Sequence, residues 1–222
     1  MESWKQSDAV VARWLLLCCA LVFAMVVLGG ITRLTGSGLS MVDWRPIMGV
    51  FPPIGDNAWQ ETFDLYRASP EFGQTNFDMD VDDFKGIFWL EYLHRLLGRL
   101  VGIVFLVPFV YFVWIGHIKR NQTPKYIVMF LLGGLQGLLG WYMVKSGLVD
   151  NPHVSQYRLT AHLLAAFAIY AYMFWIALDL LWTGSTRPMH PFYKRTLALT
   201  SLIVVTVISG GFVAGLKAGL KG

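Results

Sequence analysis

The chain has 222 residues, of which 55% are hydrophobic and 14% charged, with a formal net charge of +4. Its apolar residues come in five long runs, at 13–32, 87–116, 126–144, 160–182 and 197–216, each near the ~20 residues that cross a bilayer. That pattern excludes an ordinary soluble domain, and the small positive balance, scattered among loops, argues against nucleic acid as a partner.

The N-terminal MESWKQSDAVVAR is short and mixed in charge, unlike an Arg-rich transit peptide. It points to a bacterial plasma (inner) membrane rather than the mitochondrial inner membrane. The first run is too long for a signal peptide and ends in GGITRLTGSG without a cleavage pattern, so a retained helix is expected. Cys18 and Cys19 adjoin within it and point about 100° apart on a helix, which suits packing rather than a disulfide.

Residues 33–86 form the long connection, with four basic and nine acidic residues. Loops are expected there, with one short helix around NAWQETFDLYRA. The second run opens with LEYLHRLLGRL, residues 90–100, and brings Glu91, His94, Arg95 and Arg99 to the membrane edge. The next connection, HIKRNQTPK, is basic and free of acids, as is TGSTRPMHPFYKR before the fifth run. By the positive-inside rule these two loops and the N-terminus face the cytoplasm, while 33–86 and GLVDNPHVSQYR face outward. Backbone groups in lipid must pair within the chain, so the spanning elements are helices. The expected fold is all-α: a polytopic four-helix transmembrane bundle, residues 1–185, plus a fifth helix in 186–222. That fifth helix opens a second repeat, because GGITRLTGSGL at 29–39 resembles GGFVAGLKAGL at 210–220 with a constant offset of 181. On this reading the chain is one complete unit and the start of another, as in a truncated or split protein.

The second and fourth runs each carry one histidine near the outer end. His94 is 25 residues from Lys119, and His162 is 25 residues from Arg187. At ~1.5 Å per residue both lie ~37 Å from the inner anchors, at one depth on parallel helices. Intramembrane histidines are functional candidates by default. Two at one level can clamp a haem iron from both sides. Arg33, Arg95, Arg99 and Arg158 lie towards the same side, and guanidinium groups pair well with propionate carboxylates. Snorkelling anchors are the plainer reading of Arg33, Arg99 and Arg158. Gly98, Gly102, Gly133, Gly137 and Gly140 leave room for a macrocycle or for another helix. His117, His153 and His190 fall in or beside loops and are expected to be solvated. Glu91 and His94 form a Glu-x-x-His pair, which also occurs in di-iron bundles. The other glutamates, Glu2, Glu61 and Glu71, lie outside the apolar runs, which removes that option. Glu91 is then either an i,i+4 ion pair with Arg95 or a functional carboxylate, a proton acceptor or a charge beside a haem.

Several stretches together resemble haem A synthase, the cytochrome oxidase assembly enzyme, in its proteobacterial and mitochondrial branch. They are VVLGGITRLTGSGLSMVDW, PEF, LEYLHRLLGRLVG, QGLLGWYMVKSGL, VSQYRLTAHL and SGGFVAGLKAGL, in family order along nearly the whole chain. The resemblance implies oxidation of the C8 methyl of haem O to a formyl group. It implies eight helices in two halves, each half with a histidine pair. The substrate haem would sit in the N-terminal half and a cofactor haem b in the other, whose ligands lie beyond this chain. Glu91 and His94 match the family's E-Y-x-H-R motif, His162 the second histidine, and Arg33 and Arg95 its arginines. Lys217 departs from the family, which has an acid there. The implied partners are the lipid bilayer, haem O with haem O synthase, and a C-terminal half or further copies of the chain. The alternatives are a bis-histidine membrane cytochrome b for electron transfer, and a non-catalytic haem-binding half that needs a partner chain.

Overall fold

The computed structural model describes residues 2–43, 48–148, 152–182, 191–216 and 218. The loop with Arg187 and His190, part of the GLVDNPHVSQYR connection, and Lys217 lie outside the described residues. Among the described residues there are seven α-helices and one short 3-10 helix: α1 (Glu2–Leu34), the 3-10 turn Met48–Val50, α2 (Asp56–Arg67), α3 (Pro70–Gln74), α4 (Val81–Trp114), α5 (Thr123–Gly147), α6 (Gln156–Leu181) and α7 (Tyr193–Leu216). The chain is all-α and multi-pass: α1, α4, α5, α6 and α7 are all long and apolar enough to span a membrane.

Helix ends follow local chemistry. α1 stops at a Schellman turn in TGSG: Gly36 takes a left-handed φ of 69°, and Ser37 N–H donates to the Thr32 carbonyl at 3.0 Å. α4 starts six residues before the apolar run because the acidic stretch DMDVDD is its cap. Asp80 accepts from the Asp82 and Asp83 N–H groups at 2.9 Å each, and Asp83 reaches back to the Asp80 N–H. Asp82 and Asp83 also suit the positive end of the helix dipole.

The outer connection holds more helix than the sequence suggested. α2 covers the expected segment, and α3 follows, capped by Ser69 with Pro70 in its first turn. α2 packs on the first turns of α4 through Phe63, Tyr66, Phe84, Phe88 and Tyr92, and Phe72 of α3 meets Phe63 and Tyr66. Tyr66 is fully buried; its hydroxyl donates to Glu71 at 3.1 Å and accepts from Asn76 at 2.7 Å. Burial pushes its phenol above the usual range, so it serves as a neutral donor. Tyr92 OH ties the 3-10 turn to α4 through the Val50 carbonyl at 2.6 Å.

Four helices form the bundle. α1 packs against α4 and α6, and α5 against α6 and α4, so α4 and α6 stand diagonally. α1 and α4 are antiparallel, Gly29 meeting His94, Met25 meeting Gly98 and Trp14 meeting Phe105; the short connections make α5 antiparallel to α4 and to α6, so α4 and α6 run the same way. At the end that carries the N-terminus, the inner end in the orientation expected from the loop charges, the bundle closes on Val11, Leu15, Cys18, Phe105, Phe112, Tyr126, Met129 and Ala177. Trp14 sits among them, its ring 5.0 Å from Phe105 and its indole N–H on the Val104 carbonyl at 2.8 Å. Dispersion and such interhelical hydrogen bonds hold helices together where lipid removes the hydrophobic drive. His117 belongs partly here rather than to solvent: its ring stacks on Phe112 at 5.9 Å and its Nδ1 is buried.

α7 packs on α6 through Gly211 and Gly215. A Cβ on Gly211 would lie 2.7 Å from Thr160 Oγ1, and one on Gly215 2.5 Å from Gln156 Cα. This is small-xxx-small contact between helix backbones. The rest of α7, with Leu197, Leu202, Ile203 and Val205 exposed, suits a lipid-facing helix. Arg33 of α1 donates to the Ala214 carbonyl from Nε and Nη2 (3.1 and 2.6 Å) and to the Gly215 carbonyl at 3.0 Å. The C-terminal ends of α1 and α7 thus touch, and the guanidinium caps the negative end of α7.

Candidate haem site at the outer end of the bundle

His94 projects from α4 against α1, where a Cβ on Gly29 would come within 2.9 Å of its Cε1. His162 projects from α6 against α5, where a Cβ on Gly140 would come equally within 2.9 Å of its Cε1. Each imidazole therefore occupies a seat that only glycine leaves open. The α1–α4 contact continues one turn inward with the roles exchanged, Met25 of α1 reaching Gly98 of α4. Gly102, Gly133 and Gly137 have nothing within 4 Å of where a Cβ would stand.

Their depths can be compared across α1. Cys19 Sγ lies 4.0 Å from the Tyr170 carbonyl of α6. His162 is eight residues outward of Tyr170, and eight residues outward of Cys19 is Val27, two residues short of the Gly29 that receives His94. At ~1.5 Å per residue the imidazoles are level to within ~3 Å. Both Nδ1 atoms are buried without a hydrogen-bond partner.

A buried imidazole with no partner is costly. Two of them, level, on diagonal helices and on glycine seats, suit a flat group ligated from both sides. The residues present thus fit a haem.

Glu91 is 3% exposed and saturated with donors. Its Oε2 accepts from Ser40 Oγ at 2.7 Å and from the Met41 N–H at 2.8 Å, and its Oε1 pairs with Arg95. Arg95 also donates to the Met41 carbonyl at 3.1 Å. The pair thus grips both backbone polar groups of one residue, Met41, and fastens the segment after α1 onto α4, one turn outward of His94. Ser40 and Met41 are contributors that sequence reasoning missed; the only signal was that GLSMVDW belongs to a resembling stretch.

The other arginines are spread out. Arg33 engages α7 as described. Arg158 lies over the Tyr142 ring at 4.4 Å with Nη2 3.2 Å from its hydroxyl, on an exposed face. Arg99 stands one turn inward of Arg95 on α4. Gln136 of α5 is the other residue the sequence reading passed over. Its Nε2 donates to the main-chain carbonyl of His162 at 2.8 Å.

The family model COX15-CtaA, described as cytochrome oxidase assembly protein, matches residues 12–222. A protein named heme A synthase from Nitrosospira multiformis is 55% identical over 214 residues, covering 95% of this chain and 60% of its own length. Its namesake from Paramagnetospirillum magneticum is 54% identical over 216 residues, covering 95% of this chain and 61% of its own length. That of Flavobacterium johnsoniae is 46% identical over 222 residues, covering 97% and 64%. The chain spans about three fifths of the length of these curated relatives. No solved structure matches.

Proposed function

The chain belongs to the COX15-CtaA cytochrome oxidase assembly family, and from that premise we propose that its bundle is the substrate half of a haem A synthase, an oxidoreductase that converts haem O to haem A. The observation that carries this reading is the level pair His94 and His162, each on a glycine seat with a buried, unpartnered Nδ1.

In this reading the two imidazoles are the iron ligands of haem O and fix its plane across the bundle. The propionate edge would lie towards the outer surface, where Arg95, Arg158 and Arg33 supply positive charge, with Arg99 one turn deeper. Arg95 does so while paired to Glu91, and Arg33 from its place on the end of α7. The macrocycle's apolar edge then lies in hydrocarbon. Glu91 holds negative charge one turn from His94, where positive charge develops as the C8 methyl is oxidised, and its carboxylate is a proton acceptor. Two successive two-electron oxidations, each taking up one water and releasing two protons and two electrons, would carry the methyl through the alcohol to the hydrated aldehyde, which loses water to give the formyl group; the electrons would leave through a haem b to an acceptor beyond this chain. The cofactor haem b supplies electron transfer when bound; its ligands belong to a second half, of which α7 is the opening helix. Residues 1–185 are thus one repeat and 186–222 the start of the next. The setting is the bacterial inner membrane with the N-terminus cytoplasmic, haem O synthase supplying the substrate.

A second reading is favoured by Glu91 itself. Its oxygens are occupied by Ser40, Met41 and Arg95, which suits a haem-binding half that works only with a partner chain. One experiment separates the two. Membranes bearing the chain are supplied with haem O, with and without a co-expressed C-terminal half, and the haems are extracted and separated. The first reading expects haem A, and its loss in Glu91→Ala. Normal haem A production by Glu91→Ala overturns the role of Glu91. A low-spin haem that is never oxidised, even with the second half, leaves a cytochrome.

A further inference from the structure

We propose that Gln136 is a positioning residue that sets the pose of His162 from helix α5, an inference that rests on His162 being a haem ligand. Gln136 and Gly140 are four residues apart, on one face of α5. They meet the same residue in two ways. Gln136 Nε2 donates to the His162 carbonyl at 2.8 Å, and Gly140 receives the imidazole ring. The backbone and the side chain of one ligand are thus both registered by one turn of a neighbouring helix.

The surroundings make this bond selective. Gln136 borders a cavity of about 280 Å³ between α5 and α6, whose other lining residues are Leu132, Leu135, Leu139, Ala165, Ala168 and Ile169. Leucine and alanine surfaces let two helices slide or rotate past each other at little cost. A carboxamide in such a setting is expensive unless engaged, and here Oε1 is buried without a partner while Nε2 makes the one bond. Its single bond to α6 falls on the His162 peptide. A helix carbonyl has two lone pairs and can take this second donor. The bond fixes the rotation of α6 about its axis at the level where the imidazole must face the haem. At His94 the flanking device differs, being the Glu91–Arg95 pair one turn outward.

The test uses the 222-residue chain in lipid nanodiscs, titrated with ferric protohaem. Binding is read by absorbance, and ligation by electron paramagnetic resonance. Gln136→Leu keeps the bulk and removes the donor. It is expected to weaken haem binding roughly 3- to 18-fold, the range for an interhelical hydrogen bond in lipid, and to convert part of the low-spin signal to high spin. Gln136→Glu, neutral in hydrocarbon, keeps a donor and is expected to restore the low-spin signal. Gln136→Asn is too short to reach and should behave like the leucine variant, which preserves the test if the latter fails to fold. Leu139→Ala, which loosens the same interface, should leave the spectrum low-spin. An unchanged spectrum and affinity in both Gln136→Leu and Gln136→Asn overturn the proposal, as does a Leu139→Ala spectrum matching theirs. If His162→Ala binds haem like the parent, the haem-ligand reading has failed instead, and the proposal with it.

Discussion

The two ends of the bundle are built on opposite principles. The inner end is filled: Leu15, Cys18, Tyr126 and Ala177 are at 0% exposure, and Trp14 meets Phe105 and Phe112 ring to ring. The outer end is layered: below the aromatic cluster that α2 makes with the first turns of α4, Glu91, Arg95, Ser40 and Met41 make polar contacts, and two imidazoles stand on glycine seats with buried, unpartnered Nδ1 atoms. On the proposed reading, packing at one end holds the helices in place while the imidazoles at the other await a ligand.

The largest test of this contrast is at the ligands. His94→Ala or His162→Ala should each abolish the bis-imidazole low-spin spectrum of the haem-loaded protein while leaving its melting temperature without haem almost unchanged. A large fall in that temperature would mean the outer end is a core after all. Glu91→Ala should cost about 3–5 kcal/mol, because it strands Arg95 beside an emptied peptide clamp. Thermal unfolding in detergent would measure it, and Glu91→Ala/Arg95→Met should recover part of the loss. Phe105→Ala should cost a comparable or smaller ~3–5 kcal/mol at the inner end, without altering the haem spectrum. Gly140→Ala should cost ~1–3 kcal/mol in haem binding, because its Cβ meets the His162 ring. Gly137→Ala, where a Cβ meets nothing within 4 Å, should bind haem as the parent does. The smallest effect is expected for Arg158→Ala, under about 1 kcal/mol in stability for an exposed cation–π contact. A larger drop in haem affinity there would favour the propionate role over the anchor.

Much of the architecture was legible along the chain. The five spans rest on hydropathy and length, which local composition sets. The additional helix α3 was missed, although Ser69 and Pro70 are its start signals, because five residues carry little periodic signal. The start of α4 was missed because DMDVDD reads as a charged loop until its capping box is seen. The equal depth of His94 and His162 followed from counting residues, since helical rise is nearly constant.

Sequence by itself determined which segments enter the membrane, which histidines share a level and which family the chain resembles. Each of these depends on local composition, helical rise or linear order. Only the tertiary structure decided what those residues touch. It put Arg33 on the carbonyls of α7, closed Glu91 and Arg95 around the backbone of Met41, and set Gly29 and Gly140 beneath the two imidazoles. It also put the Gln136 amide on the His162 carbonyl, a contact that the stretch QGLLGWYMVKSGL did not announce. The reason is that such pairings depend on how each helix is rotated about its axis. Rotation is fixed by contacts between helices far apart in the chain, which residue spacing along one helix does not encode.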